Sequence, residues 1–399
     1  MKKVFLSFAL ISSLFISCGD DDTADIIIND NSTTTNNSTT GGGNTQGQTI
    51  NLSGTYVENL TLDNINTYIV NGPMIMADGT TLTIPAGMTI EALAAGSDVY
   101  VAISQGAKII ANGTSSAPIV FTSNSSAPKA GDWGGLILLG KAPINSVTGG
   151  TETATSEIGG LAYGGDQPTD NSGSLTYVRV QYSGGKADGQ SENNGFSFYG
   201  VGNGTTVQYV QMYEGLDDGF EFFGGTVNVS YLSAVNAQDD SIDWTEGYSG
   251  VITNAYVKHG PGHDKGIEAD GYNTDIGNNS SPVFFSSPTI ENLTIIGLGS
   301  GTGNEAIRLR AGTSAQFINV SIEGFTEGFD IDTNDNFPTE TGNSIVAGTS
   351  SVTNISFTDV TLKLKNDTTV TFSESDFISG DGNGTGTDYA TWGTGWTVE

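Results

Sequence analysis

Between Asn194 and Asp332 the chain writes one short pattern six times: NGFSF from Asn194, DGFEF from Asp218, DSIDW from Asp240, KGIEA from Lys265, EAIRL from Glu305 and EGFDI from Glu327. The starts are 24, 22, 25, 40 and 22 residues apart, so four gaps approximate one unit and the other holds an insertion. A second pattern runs in phase with the first: Tyr209 or Tyr231, then Asn254, Asn292 and Asn319, each followed by aliphatic residues at alternate positions. Its offset is 15 and 13 residues for the first two copies and 14 for those at Asp240 and Glu305. Two patterns locked in phase at a period near 22 predict a solenoid.

The alternation inside each copy has period two, which marks strands rather than helices. Phe196, Phe220, Ile242, Ile267, Ile307 and Phe329 are then expected to stack inward, with Phe198, Phe222, Trp244, Leu309 and Ile331 as the next inward column. The residues between them, Ser197, Glu221, Asp243, Glu268, Arg308 and Asp330, must point outward. The small residue before each inward Phe or Ile, such as Gly195 and Gly219, suits a bend where backbone meets backbone. Asn254, Asn292, Asn319 and Asn354 read as a ladder in a buried turn, because stacked amides satisfy one another. The expected fold class is all-β, a single-stranded parallel β-helix.

Outward from this core, residues 1–18 read as a lipoprotein signal: Lys2 and Lys3, an apolar run from Val4 to Ile16, and Cys18. Phe15-Ile16-Ser17-Cys18 resembles a bacterial lipobox, which would make Cys18 a lipid anchor in the membrane. It is the chain's only cysteine, so no internal disulfide and no Cys-based zinc site is expected. Residues 19–48 begin Gly19-Asp20-Asp21-Asp22 and continue rich in Asn, Thr, Ser and Gly, the composition of a flexible stalk. An acidic run after the anchor resembles the export signal of surface lipoproteins, and an Asp just after the Cys also resembles the inner-membrane retention signal of enteric bacteria. The long polar tether argues for display outward, so the expected location is the outer membrane, facing the exterior. Residues 49–399 form the β-helix domain, with 56 Gly in the whole chain and only 14% charged residues.

Acidic residues number 44 against 13 basic ones, for a formal net charge of −31. Phosphate backbones are bound by clustered Lys and Arg, so nucleic acid is excluded as a partner. Such a field tolerates neutral glycans and attracts divalent cations.

Gly131-Asp-Trp-Gly-Gly135-Leu-Ile-Leu-Leu-Gly140-Lys-Ala-Pro-Ile-Asn145, then DDGFEFFGGTVNVSYL from Asp217, QDDSIDWTEGYSG from Gln238 and AIRLRAGTSAQFIN from Ala306, carry a family resemblance. The chain resembles a family of secreted and lipid-anchored right-handed β-helix proteins of Bacteroidetes and marine bacteria, over roughly residues 65–399. More loosely it is similar to the pectin-lyase-like superfamily. The resemblance implies a right-handed coil and no particular activity. Gly/Ser/Asn-rich insertions at 146–174, 271–288 and 333–350 are expected to project as loops. Trp392-Gly-Thr-Gly-Trp396 is expected to cover the last coil, since an open sheet edge needs a lid.

Three constellations are candidates for chemistry. Glu221, Asp243 and Glu268 would sit on adjacent coils about 5 Å apart. Like charges at that spacing repel by about 3 kcal/mol per pair at an effective dielectric of about 20, so a cation, Arg308 or a raised carboxyl pKa must relieve them. Asp218, Asp239 and Asp240, with His259 one coil on, loosely resemble the acids and histidine of polygalacturonase-type hydrolases, although Asn-Thr-Asp occurs only at Asn273–Asp275 and Arg-Ile-Lys is lacking. Asp330, Asp332 and Asn334 place oxygen donors at alternate positions, as calcium loops do. His259 and His263 with Asp264 offer a transition-metal set, read as incidental in a Gly/Pro loop.

Two function classes stay open. One is non-catalytic: a monomer binding glycan or another cell-surface ligand, with Tyr182, Tyr199 or Tyr213 to stack on sugars, or an envelope structural protein. The other is polysaccharide degradation, by a hydrolase using the paired Asp or by a calcium-dependent lyase with Lys265, Arg308 or Arg310 as base. Calcium is the one cofactor anticipated, and no organic cofactor is.

Overall fold

The computed structural model describes residues 47–147, 152–187, 192–274, 282–302, 304–333 and 340–399. The signal, Cys18, all of the stalk before Gly47 and Asn334 lie outside the described residues. Twenty-two strands pair in parallel into one continuous ladder system, the topology of a right-handed parallel β-helix. Each coil crosses three sheets. In one coil the strand Phe196–Tyr199 lies in a front sheet, and Thr206–Gly215 then serves the other two, bending at Tyr209.

The front sheet sets the register of everything else. Phe196, Phe220, Ile242, Ile267, Ile307 and Phe329 follow one another across successive pairings, and all are fully buried. Phe196 stacks on Phe220 with centroids 4.8 Å apart, and Phe198 on Phe222 at 5.1 Å. Each such side chain contributes about 1.5–3 kcal/mol by leaving water. Both inward columns read from the alternation are present.

The bend in each coil has a backbone cause. Tyr177, Tyr209, Tyr231, Asn254, Asn292, Asn319 and Asn354 occupy the same slot, every one at a φ between 53° and 60°. An L-residue there pays about 1–2 kcal/mol, which Asn offsets by local hydrogen bonding. Asn292 Nδ2 donates to Asn254 Oδ1 at 3.3 Å, and Asn319 Nδ2 to Asn292 Oδ1 at 2.8 Å. Asn354 shares the slot and the φ, whereas the oxygen of Asn319 accepts from Thr385. The turn is half-buried at Asn254, Asn292 and Asn319 and exposed at Asn354, not buried as expected. Where the slot holds tyrosine, ring stacking replaces amide pairing, at 4.3 Å for Tyr177–Tyr209 and 4.1 Å for Tyr209–Tyr231.

Two expectations are corrected here. Residues 392–396 do not cap the last coil. The tail runs back along the outside of the solenoid: Tyr389 stacks on Tyr256 at 3.7 Å, and Trp396 meets Tyr177 edge-on at 5.5 Å. Arg179 Nη1 and Gln211 Nε2 fix it by donating to the carbonyls of Trp396 and Val398. Aromatic edges find more contact on a stacked tyrosine column than on a single coil end. The far end is covered instead by Phe377, whose buried ring meets Phe329 at 5.2 Å. The described part of the insertion after Asn145 does not project either. Its hairpin, Ala154–Thr155 with Ala162–Tyr163, brings Ile158 and Tyr163 down onto Ala102, Ile137, Leu139, Tyr199 and Phe223 as a second small core. Tyr199 is thereby buried and unable to stack on a sugar, while Tyr182 and Tyr213 stay half-buried.

Asn292→Ala should lower stability to urea by about 1–3 kcal/mol, because alanine keeps the left-handed φ and loses both amide contacts. Asn292→Gly should cost less, since glycine adopts that φ freely. Equal losses for the two variants would show that the slot is not selected by backbone conformation.

Candidate functional site

The outward residues of the front sheet fall into in-register columns. The middle column reads Ser197, Glu221, Asp243, Glu268, Arg308, Asp330, Lys365. From Glu268 onward the signs alternate, and from Glu221 to Glu268 they do not. Glu221, Asp243, Glu268 and Arg308 are half-buried, whereas Ser197 and Asp330 are buried although they point away from the core.

A second column stands at the corner before each strand: Asn194, Asp218, Asp240 and Lys265, linked by backbone bonds from coil to coil. Asp218 Oδ1 accepts the N–H of Asp240 at 2.9 Å, and Asp240 Oδ1 accepts the N–H of Lys265 at 2.7 Å. The repeated corner aspartate thus ties one coil to the next, and each carboxylate keeps a second oxygen. On the other side of the middle column Asp270 pairs in register with Arg310. Arg310 Nη2 lies 2.7 Å from Glu268 Oε2 and its Nε 2.5 Å from Asp270 Oδ1. Lys265 Nζ lies 2.9 Å from Glu268 and 2.7 Å from Asp264.

These columns enclose a cleft of about 290 Å³. Its lining carries ten carboxyl side chains and one guanidinium, Arg310. Glu157 reaches it from the folded-back insertion, and Glu192 from the loop before Asn194. Four groups of three carboxylates bring one oxygen from each residue within 4.8 Å of the others: Glu192–Asp217–Asp239, Asp218–Asp239–Asp240, Asp218–Glu221–Asp243 and Asp240–Asp243–Glu268. Lys186 Nζ already sits against the first, 2.9 Å from Glu192, 3.2 Å from Asp217 and 3.3 Å from Asp239. Asp217 Oδ2 and Asp243 Oδ1 are buried without a hydrogen-bond partner.

Crowding of this kind shifts proton affinity. Burial, then the charge of Glu192, pushes Asp217 up to about 8 in spite of Lys186. Burial raises Asp270 to about 6 against the pull of Arg310. Asp218, Glu221, Asp240 and Asp243 are all held well above the usual carboxyl range, first by burial and next by neighbouring carboxylates. Lys265 is raised because Asp240 and Glu268 outweigh its burial.

Of the residues singled out in the sequence, the structure brings together Asp218, Asp239, Asp240, Glu221, Asp243 and Glu268. His259 is not among the described residues lining the cleft. It is buried, stacks on His263 at 4.3 Å and meets Phe325 edge-on at 5.2 Å, and burial lowers its pKa to about 4. Asp330 lies 3.4 Å from Lys365, and Asp332 is held by Arg308, so both oxygen donors face a cation of the chain itself. Sequence reasoning missed Glu157, Lys186 and Glu192, which nothing periodic marks; Asp270 stood out only as an oxygen donor beside Asp264 and Asn273, and the cleft takes it in.

The family model for the pectate-lyase-like β-helix domain matches residues 54–397. The chain belongs to that family. No curated protein matches it in sequence. Among solved structures it is similar to the catalytic domain of a GH87 α-1,3-glucanase in complex with nigerose, at 13% identity and a TM-score of 0.34 over 84% of this chain and 64% of that one. It is similar also to the Dettilon tailspike protein, at 12% identity and a TM-score of 0.29 over 75% of this chain and 56% of that one. The chain therefore spans less than two thirds of either solved chain.

The raised carboxyls set a pH dependence. A carboxyl whose pKa is higher in the fold than in the unfolded chain binds more protons when folded, so stability falls as pH rises. The loss spans the ordinary 3.8 to about 6 for Asp270 and to about 8 for Asp217. His259 acts oppositely, but only below its ordinary 6.5. Chelator-treated protein should therefore melt at a lower temperature at about pH 8.5 than at about pH 6.5, with a smaller drop in Asp217→Asn. A melting temperature that holds or rises over that interval would contradict these shifts.

Proposed function

We propose that this chain is a glycan-binding protein of the cell envelope whose front-sheet cleft engages its ligand through divalent cations. In this reading lipid on Cys18 tethers a monomer to the outer membrane, and residues 19–48 hold the β-helix away from it on the exterior side. One observation carries the proposal for the cleft. Asp218–Glu221–Asp243 and Asp240–Asp243–Glu268 share Asp243 and place their oxygens at ligand spacing where the ladder's signs do not alternate.

The donors fit a hard cation: the four groups contain only carboxylate oxygen, and Asp243 Oδ1 is buried without a partner. A bound calcium ion would supply oxygen-coordination positions open to sugar hydroxyls or carboxylates. The chain's own residues do the rest. Asp218 and Asp240 spend one oxygen each on backbone N–H groups, which fixes their second oxygens in place. Lys265 and Arg310 brace Glu268 from both sides, so the acidic rungs hold their geometry. The predominantly acidic lining turns away anions unless a cation bridges them, and offers apolar ligands little to bury against.

Affinity electrophoresis through gels containing plant or algal polysaccharides tests this directly. At least one polymer should retard the protein with calcium present and not after chelation. Asp243→Asn should weaken that retardation by about tenfold, or ~1.4 kcal/mol. Retardation indifferent to both calcium and Asp243 would sink the proposal.

Hydrolysis is the second reading, favoured by two buried aspartates on adjacent coils, Asp218 and Asp240, whose pKa burial and neighbouring carboxylates raise, the direction a general acid needs. Asp240→Asn separates the two. Asparagine retains the oxygen that accepts from Lys265 N–H, so the fold should survive. Reducing ends released from any polymer by the native protein, and not by this variant, would make the aspartates an active site. Under the main reading neither protein releases any.

A further inference from the structure

We infer that the ammonium group of Lys186 is a tethered cation occupying a second divalent-cation site, built by Glu192, Asp217 and Asp239, and that a free ion binds there once the lysine is displaced. This rests on the reading of the cleft as a cation-binding surface and adds a gate to it.

The geometry is that of an ion among its ligands. One oxygen from each of the three carboxylates lies within 4.8 Å of the others, and Lys186 Nζ stands 2.9, 3.2 and 3.3 Å from Glu192, Asp217 and Asp239. The ammonium leaves demand unmet. Asp217 is 2% exposed and its Oδ2, buried, has no hydrogen-bond partner. With all three carboxyls ionised, a single positive charge leaves a net of two negative charges, whereas a divalent ion leaves one. An ion also accepts oxygens from any direction, while an ammonium offers only three N–H donors.

Exposure separates Lys186 from Lys265, the other lysine beside the cleft's acids. Its side chain is 32% exposed, on a flexible four-carbon stem that can swing into solvent. Asp217 is too enclosed to follow it. Lys265 is only 6% exposed and gripped by Asp264 and Glu268, which makes it a fixture of the ladder.

Counting calcium ions bound per chain by equilibrium dialysis, for the native protein, Lys186→Met and Lys186→Arg, tests the inference. Lys186→Met should bind one ion more than the native protein, and Lys186→Arg the native number. Adding Glu192→Gln to Lys186→Met should remove the extra ion. Equal counts for native and Lys186→Met overturn the inference while leaving the inner groups intact. Ions absent from the native protein but present in Lys186→Met support it and defeat the reading of the inner groups. No ion on either defeats both. If Lys186→Met fails to fold without calcium, its melting temperature against calcium decides: a rise larger than the native protein's supports the site, and no rise overturns it.

Discussion

In-register parallel stacking governs this molecule. Each residue of an inner ladder strand has counterparts on the coils above and below it at strand spacing, so whatever a slot holds is repeated along a column. Apolar slots become stacked rings, as with Phe196 over Phe220 and Phe198 over Phe222. A slot that demands a left-handed φ becomes a ladder of asparagine or a stack of tyrosine. A carboxylate slot becomes a line of like charges, which is the one repetition that opposes itself. The fold can supply that line only by burying it beside cations or by raising its proton affinity, and both are present.

Columns were legible because they obey two periods at once, two residues along the strand and about 22 between coils. Glu221, Asp243 and Glu268 were read as neighbours from spacing alone, and the pairings place them so. Contacts that bridge distant parts of the chain without repeating left no such trace. Tyr163 donates to Glu246 across 83 residues, and Arg179 to Trp396 across 217. The insertion and the tail were therefore misjudged as a projecting loop and an end cap. Their apolar residues were visible, but no periodicity said which face would receive them.

The same blindness explains the uneven reading of the site. The corner aspartates stood out in the sequence as paired acids, and their first task is structural: Asp218 and Asp240 join coil to coil through backbone N–H groups. Lys186, with no repeat partner, went unnoticed although it touches three of the cleft's acids. Repetition announces what the scaffold needs, and departures from it carry the local chemistry.

The electrostatics give those departures a direction. Downstream of Glu268 the middle column alternates Arg308, Asp330 and Lys365, so each charge meets its opposite within the sheet. Upstream, three acids follow one another; Lys265 and Arg310 pair with the last of them, Glu268, and Lys186 is drawn aside to Glu192. A neutral Gln or Ser at Asp243 would keep the register and remove the strain, since the slot faces away from the core. The fold gains nothing from a third carboxylate there, whose Oδ1 is buried and unpaired. The spacing of the coils explains where Asp243 stands, and the scaffold does not explain why that place holds a charge.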